Sequence, residues 1–381
     1  MNYSEISHIQ IHKRLDKITA GEVAQIWENP EVEEYLSFCW WERHLQWLHV
    51  IFNWEAAFDR GSTWSGKNTH HRTIERLKRF VGETSLANAH FGLTSSDVED
   101  NVRRSMLSFS LRGLTSKLKK LVESQSLTPY ESMLEQPAFT HWQEAGQISI
   151  LSRIQSSWMP LSIESNNIPI MHGKMMAGAI GDYSALKMLA THTGHGTKEI
   201  NSQMQFPWND FLLASPWNSY PIQSSDHFDE LDAIHWIVKV SSQLHKIALD
   251  IRFLASHKWI VFDQPKNYIG SSSIKNKSNP YALEKICSIS RSIMHSHHQV
   301  ASVLAHNGCE RTLDTSWQLK TTLSESVIKL DKILTTFLNT KFRYVSSSLR
   351  ESVPPAYVKQ VLEGGITRME AFKSENNTSY E

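Results

Sequence analysis

Leu231-Asp232-Ala233-Ile234-His235-Trp236-Ile237-Val238, continued by Leu244, Ile247, Ala248, Ile251 and Leu254, sets apolar side chains at three- and four-residue steps. That spacing is the period of a helix with one buried stripe. Leu283, Ile286, Cys287, Ile293, Met294, Val300, Val303 and Leu304 repeat it, and so do Leu323, Val327, Leu330, Leu334, Phe337 and Leu338. Each run exceeds 15 residues without Gly or Pro. At 1.5 Å rise per residue, a helix of two dozen residues is roughly 36 Å long. Apolar stripes of that length must be buried against other helices. No segment alternates apolar and polar residues as a strand would. The expectation is an all-α protein: a long-helix bundle as the central domain, 93–342, with a smaller helical N-terminal domain, 1–92, and a short C-terminal segment, 343–381, as the third.

Composition bounds the function. The 381 residues include 39 Lys+Arg and 39 Asp+Glu, so the formal charge is zero. A nucleic-acid binder usually carries a basic excess, and none is seen. Cys39, Cys287 and Cys309 are far apart and in no CxxC spacing, which speaks against a disulfide framework or a structural zinc site. The 19 His residues point to no metal by number alone. No apolar run approaches the ~18 residues a membrane helix needs, and MNYSEISHIQIHKR has no signal-peptide core. A cytoplasmic protein without metal, cofactor, membrane or nucleic-acid partner is expected.

Loops divide the helices. They fall at 61–68, at 84–96, over the Gly- and Met-rich 166–181, over the Pro-bearing 206–226, and over 263–280. Pro354-Pro355 and Gly364-Gly365 break up the tail, and its end, SENNTSYE, reads as disordered. The last internal loop lies between two strong helices and is unusually long, and such loops are more often functional than structural. Its Ser271, Ser272 and Ser273 offer hydroxyls, Lys275 and Lys277 positive charge, and Asn279 amide donors. Pro280 is well placed to open the next helix. Together these suit a carboxylate or phosphate. By composition alone a solvated linker would serve equally well.

The order of residues decides between these readings. Gly270-Ser271-Ser272-Ser273-Ile274-Lys275-Asn276-Lys277-Ser278-Asn279-Pro280 resembles the signature loop of the fumarase/aspartase superfamily, Gly-Ser-Ser-x-Met-Pro-x-Lys-x-Asn-Pro, with Ile274-Lys275 in place of Met-Pro. His90-Phe91-Gly92-Leu93-Thr94-Ser95-Ser96-Asp97 is similar to its first block, His-x-Gly-x-Thr-Ser-x-Asp; read as bare chemistry, Thr94 or Ser95 is a candidate helix cap. Thr140-His141-Trp142-Gln143-Glu144-Ala145 is similar to its second block, with Phe139 where Arg is usual. Within the superfamily, Glu310-Arg311-Thr312-Leu313-Asp314-Thr315-Ser316 resembles a segment of the adenylosuccinate lyases. Asn68-Thr69-His70-His71, Gln223 with Asp226-His227, and Gly178-Ala179-Ile180-Gly181-Asp182-Tyr183 add to that likeness.

The resemblance implies a lyase that eliminates fumarate from a small N-succinyl substrate. It implies Ser271 as the base and His141 as the acid, with Glu284 pairing with His141 and His71 orienting the leaving group. It assigns Thr94, Ser95, Lys277 and Asn279 to the fumarate carboxylates. Gln223 goes to the substrate, and Arg311, Ser316, Lys320 and Arg14 to the phosphate end. It implies a homotetramer with shared active sites. Departures gather at the phosphate end: Arg14-Leu15 in place of Arg-Tyr, Arg72 in place of Asp, Lys320 in place of Arg, and a short third domain. Two alternatives to an adenylosuccinate lyase of purine nucleotide biosynthesis therefore stand. One is a related C–N lyase of specialised metabolism with another leaving group; the other is an inactive relative serving in assembly.

Overall fold

A computed structural model describes residues 90–194, 222–263 and 279–346, with parts of 23–44 and 73–77. The chain is mostly helical. Its elements run α1 (Val23–Glu28), α2 (Ser95–Glu123), α3 (Pro129–Met133), β1 (Glu135–Thr140), β2 (Gln143–Ser149), α4 (Ile150–Glu164), α5 (Ser184–Thr193), α6 (Phe228–Ser256), β3 (Ile260–Phe262), α7 (Tyr281–Met294), α8 (Ser296–His306), α9 (Asp314–Leu338) and β4 (Phe342–Tyr344).

The stripe on α6 behaves as its spacing requires. Ile234, Ile237, Val240, Leu244, Ile247, Ala248, Ile251 and Leu254 are each at most 2% exposed. Each large apolar side chain so buried contributes roughly 1.5–3 kcal/mol. Helix α7 begins directly after Pro280, whose carbonyl accepts the N–H groups of Leu283 and Glu284. The run 283–304 is not one helix: it breaks at His295 into α7 and α8. There the Ser296 hydroxyl donates to the Ile293 carbonyl at 2.6 Å, a local bond that competes with the helical ladder.

Four short strands correct the expectation that no strand would be found. β1 and β2 form an antiparallel hairpin, and β3 pairs antiparallel with β4 from Ile260↔Tyr344 to Phe262↔Phe342. The alternation is absent because the hairpin is largely wet: five consecutive residues, Thr140–Glu144, are exposed. The buried residues of β1, Gln136 and Pro137, are adjacent rather than alternate, so no period of two appears.

The chain divides into two compact units. One gathers 1–118, 164–242 and 288–335; the other gathers 119–163, 243–287 and 336–381. In the first, Leu107, Leu111, Leu114, Ile234, Leu323, Val327 and Leu330 are buried, and Lys117 Nζ pairs with Asp331 Oδ1 at 2.7 Å. In the second, Trp158 meets Phe337 edge-on at 5.8 Å. The Gln136 amide there donates to the carbonyls of Trp259 and Val345, tying the hairpin to the β3–β4 pair. Among the described residues, no helix is long and apolar enough to cross a membrane.

Candidate active site

Helix α2 starts at Ser95, so Thr94 occupies the cap position expected of it. Its N–H donates to the Asp97 carboxylate at 2.8 Å, the side chain three residues on reaching back across the first turn. The Gln223 amide N–H meets the Thr94 hydroxyl at 3.4 Å. Ser96 donates to the Gln223 carbonyl at 2.9 Å and accepts from Arg311 at 3.3 Å. Three distant stretches thus converge on the first turn of a 29-residue helix, where the macrodipole favours an anion. Gln223 is 8% exposed, and its Oε1 has no partner among the described residues. Gly181 makes the approach of Gln223 possible. Its φ is +75°, and a Cβ there would lie 2.4 Å from the Gln223 nitrogen.

Beneath this cradle lies a layer of buried charge. Asp97 and Lys174 form a fully buried ion pair. Asp97 also accepts the N–H groups of Ala177 and Gly178, and Asn101 makes reciprocal bonds with the Lys174 backbone at 2.8 Å. Burial pushes the Asp97 carboxyl up, against the opposing pull of Lys174 and the backbone donors. Burial would raise Asp100 too, but Arg103, Lys174 and His227 together hold it below its ordinary value. Glu230, fully buried, is held well below the usual carboxylate range because Arg104, His227 and Arg103 outweigh its desolvation. Arg104 reaches Glu230 and Asp226 and donates to the His172 carbonyl. His172 in turn contacts Asp229 at 3.0 Å. Asp97, Asn101, Arg104, Lys174 and Glu230 were not singled out as functional from the sequence. The signal available was the cluster of charge on a long helix, Asp97 through Arg104, which a purely apolar pattern search passes over.

His141 belongs to the second unit, at the tip of the β1–β2 hairpin. Thr140 pairs with Gln143, so the loop is the two residues His141-Trp142. Both have left-handed φ, 52° and 63°. Two such residues in a two-residue loop define a type I′ turn, a place normally filled by Asn-Gly or Gly-Gly. Each non-glycine residue there costs on the order of 1–2 kcal/mol. The side chains of Phe139, Trp142, Phe253 and His257 cluster beside the turn. Phe253 faces Phe139 at 5.0 Å, Trp142 at 4.6 Å and His257 at 4.4 Å.

The structure brings Thr94, Ser95, Gln223 and Arg311 together. His141, Asn279 and Glu284 belong to the other unit. Glu284 pairs with Arg252 at 3.4 Å and makes no described contact with His141. Ser316 is in the first turn of α9, its N–H bound to the Leu313 carbonyl. Lys320, further along α9, is held by both oxygens of Glu33, at 3.1 and 3.2 Å, and Glu33 also takes Arg76 at 2.8 Å. Ser271, Lys277, His71 and Arg14 lie outside the described residues, as does the tail after 346.

Sequence comparison finds adenylosuccinate lyases. The chain is 28% identical over 262 residues to that of Schizosaccharomyces pombe, covering 66% of this chain and 52% of the relative. It is 25% identical over 311 residues to that of Saccharomyces cerevisiae, covering 78% and 61%. With that of Archaeoglobus fulgidus it shares 26% over 277 residues, covering 70% and 58%. The chain therefore spans between half and two thirds of the length of these relatives. No protein-family model matches it. Among solved structures it is similar to the 3-carboxy-cis,cis-muconate lactonizing enzyme from Pseudomonas putida, with a TM-score of 0.54 at 16% identity, covering 73% of this chain and 61% of that one. That likeness concerns the fold.

Proposed function

We propose that the chain, similar in sequence to adenylosuccinate lyases, is a member of the fumarase/aspartase superfamily and a carbon–nitrogen lyase eliminating fumarate from an N-succinyl substrate. The observation that carries this reading is the cradle of Thr94, Ser96, Gln223 and Arg311 at the start of α2. It offers hydroxyls and an amide to one carboxylate of the succinyl group, and Ser96 ties to the same helix start the Arg311 guanidinium that the resemblance assigns to the phosphate end. Ser95 adds a hydroxyl and the helix start adds positive potential.

In this reading the Ser271 side chain, ionised to the alkoxide, removes the proton from the succinyl carbon next to a carboxylate and returns to the hydroxyl. A neutral serine is too weak a base, so Lys277 and the N–H groups at the start of α7 would supply the positive charge that favours its ionised form. The electrons move into an aci-carboxylate, held by Lys277 and Asn279. Stabilising that charge supplies the largest part of the rate gain. The C–N bond then breaks as His141 protonates the leaving nitrogen, with His71 orienting it. Glu284 would serve His141 across subunits rather than within one chain, since within the chain it pairs with Arg252. A homotetramer with shared sites fits an uncharged exposed face on α4, where Leu151, Met159 and Ile163 are 38%, 60% and 54% exposed. We place the enzyme in the cytoplasm.

Adenylosuccinate, and so purine nucleotide biosynthesis, is the first substrate assignment. One observation favours a second: Lys320, assigned to the phosphate, is occupied by Glu33. A leaving group without phosphate, as in a specialised pathway, needs no free cation there. Fumarate release from adenylosuccinate, followed by ultraviolet absorbance, tests the reading. Wild type should release it and Ser271→Ala should be slower by about 10²-fold or more. Full activity in Ser271→Ala would remove Ser271 as the base.

A further inference from the structure

The His141-Trp142 turn is both strained and exposed, which leaves the question of what holds it. Backbone burial does not, because Thr140 through Glu144 all face solvent. The hairpin ladder is itself irregular here. Ala138 pairs with Gly146 but Phe139 with Glu144, so Ala145 is an extra residue beside the turn. A bulge of this kind re-aims the neighbouring side chains. What remains is the ring cluster on α6. Phe253 receives Phe139 edge-on at 5.0 Å and 84°, and Trp142 tilted at 4.6 Å. These two rings flank Thr140-His141, one on each side of the loop in sequence. His257 closes the cluster against Phe139 at 5.5 Å, and its Nδ1 lies 3.0 Å from the Phe253 carbonyl.

We propose that Phe253 is a positioning residue: a platform that grips the hairpin through Phe139 and Trp142 and so fixes the backbone from which His141 delivers its proton. This rests on the reading of His141 as the acid. Phe253 itself touches no reacting atom. Its grip leaves the His141 side chain exposed and free to meet a substrate. Geometry of this kind matters to rate, because a proton donor displaced by an ångström loses much of its effect.

The test is a kinetic cycle on the full chain with adenylosuccinate, joined to hydrogen exchange. Phe253→Leu should lower kcat about tenfold or more and leave KM within about threefold. Phe253→Tyr, which keeps the ring, should restore kcat to within about twofold of wild type. In a His141→Ala background, Phe253→Leu should change kcat less than about twofold, since a residue acting only through His141 has nothing left to position. A repeated tenfold loss there would show a merely structural role and overturn the proposal, as would a near-normal kcat in Phe253→Leu. His141→Ala at full rate would instead remove His141 as the acid, and the positioning role with it. Hydrogen exchange across 135–149 needs no turnover. It should speed up about fivefold or more in Phe253→Leu and not in Phe253→Tyr. Unchanged exchange in Phe253→Leu overturns the grip whatever the kinetics.

Discussion

The cradle at the start of α2 and the hairpin that carries His141 are built in opposite ways. Around the cradle, polar groups are sunk into the core: Asp97, Asn101, Arg104, Lys174 and Glu230 are each at most 2% exposed, and each bonds to another member of the set or to its backbone. The hairpin tip is exposed and held from one side by aromatic rings. A buried charge network permits few arrangements, because any unpaired member is costly. A ring contact on an exposed turn is weaker and more forgiving. Under the proposed reaction, the first would hold a carboxylate still and the second would reach a leaving group.

Breaking the buried pair should have the largest effect on stability. Lys174→Met strands the Asp97 carboxylate in the core and should cost about 3–5 kcal/mol, measured by denaturant titration. A cost under about 1 kcal/mol would mean that the cradle does not depend on the pair. Next comes acid sensitivity. His44 is buried with its Nε2–H donating to the Phe91 carbonyl at 2.9 Å, and burial lowers its pKa from 6.5 to about 4. Between those two values the unfolded chain takes up a proton that the folded chain refuses, so stability is full above pH 6.5 and falls as pH drops toward 4. Thermal midpoints should follow that course, and His44→Gln should flatten it; an equal slope in both would sink the assignment. The smallest effect belongs to the hairpin. Trp142→Gly removes a ring contact worth about 0.5–1.5 kcal/mol but relieves a left-handed residue of similar cost, so stability should move by less than about 1 kcal/mol. A large loss would show that the turn is held more firmly than its exposure implies.

The regular helices were legible because their buried sides are apolar at the helical period, as on α6 and α9. Helix α2 was not among the apolar runs, although it is 29 residues long and largely buried. Its inward side carries Asp97, Asp100, Asn101, Arg104, Ser105 and Ser108, which a pattern search reads as a solvated face. The hairpin escaped for the converse reason: its buried positions, Gln136, Pro137 and Gly146, do not alternate as a dry apolar face would. Thr94, Ser95, Gln223 and Arg311 came from ordered residue motifs, and the fold brings them to one place. Lys174 was hidden in a Gly- and Met-rich loop, with no local sign that its partner lay 77 residues away.

The claim that the two regions serve one reaction is tested most directly by steady-state fumarate release from adenylosuccinate by wild type, Thr94→Val and His141→Ala. Thr94→Val should raise KM about tenfold or more, from the loss of a hydrogen bond to a charged carboxylate. His141→Ala should lower kcat about 10²-fold or more at nearly unchanged KM. Fumarate release that neither substitution alters would contradict the account.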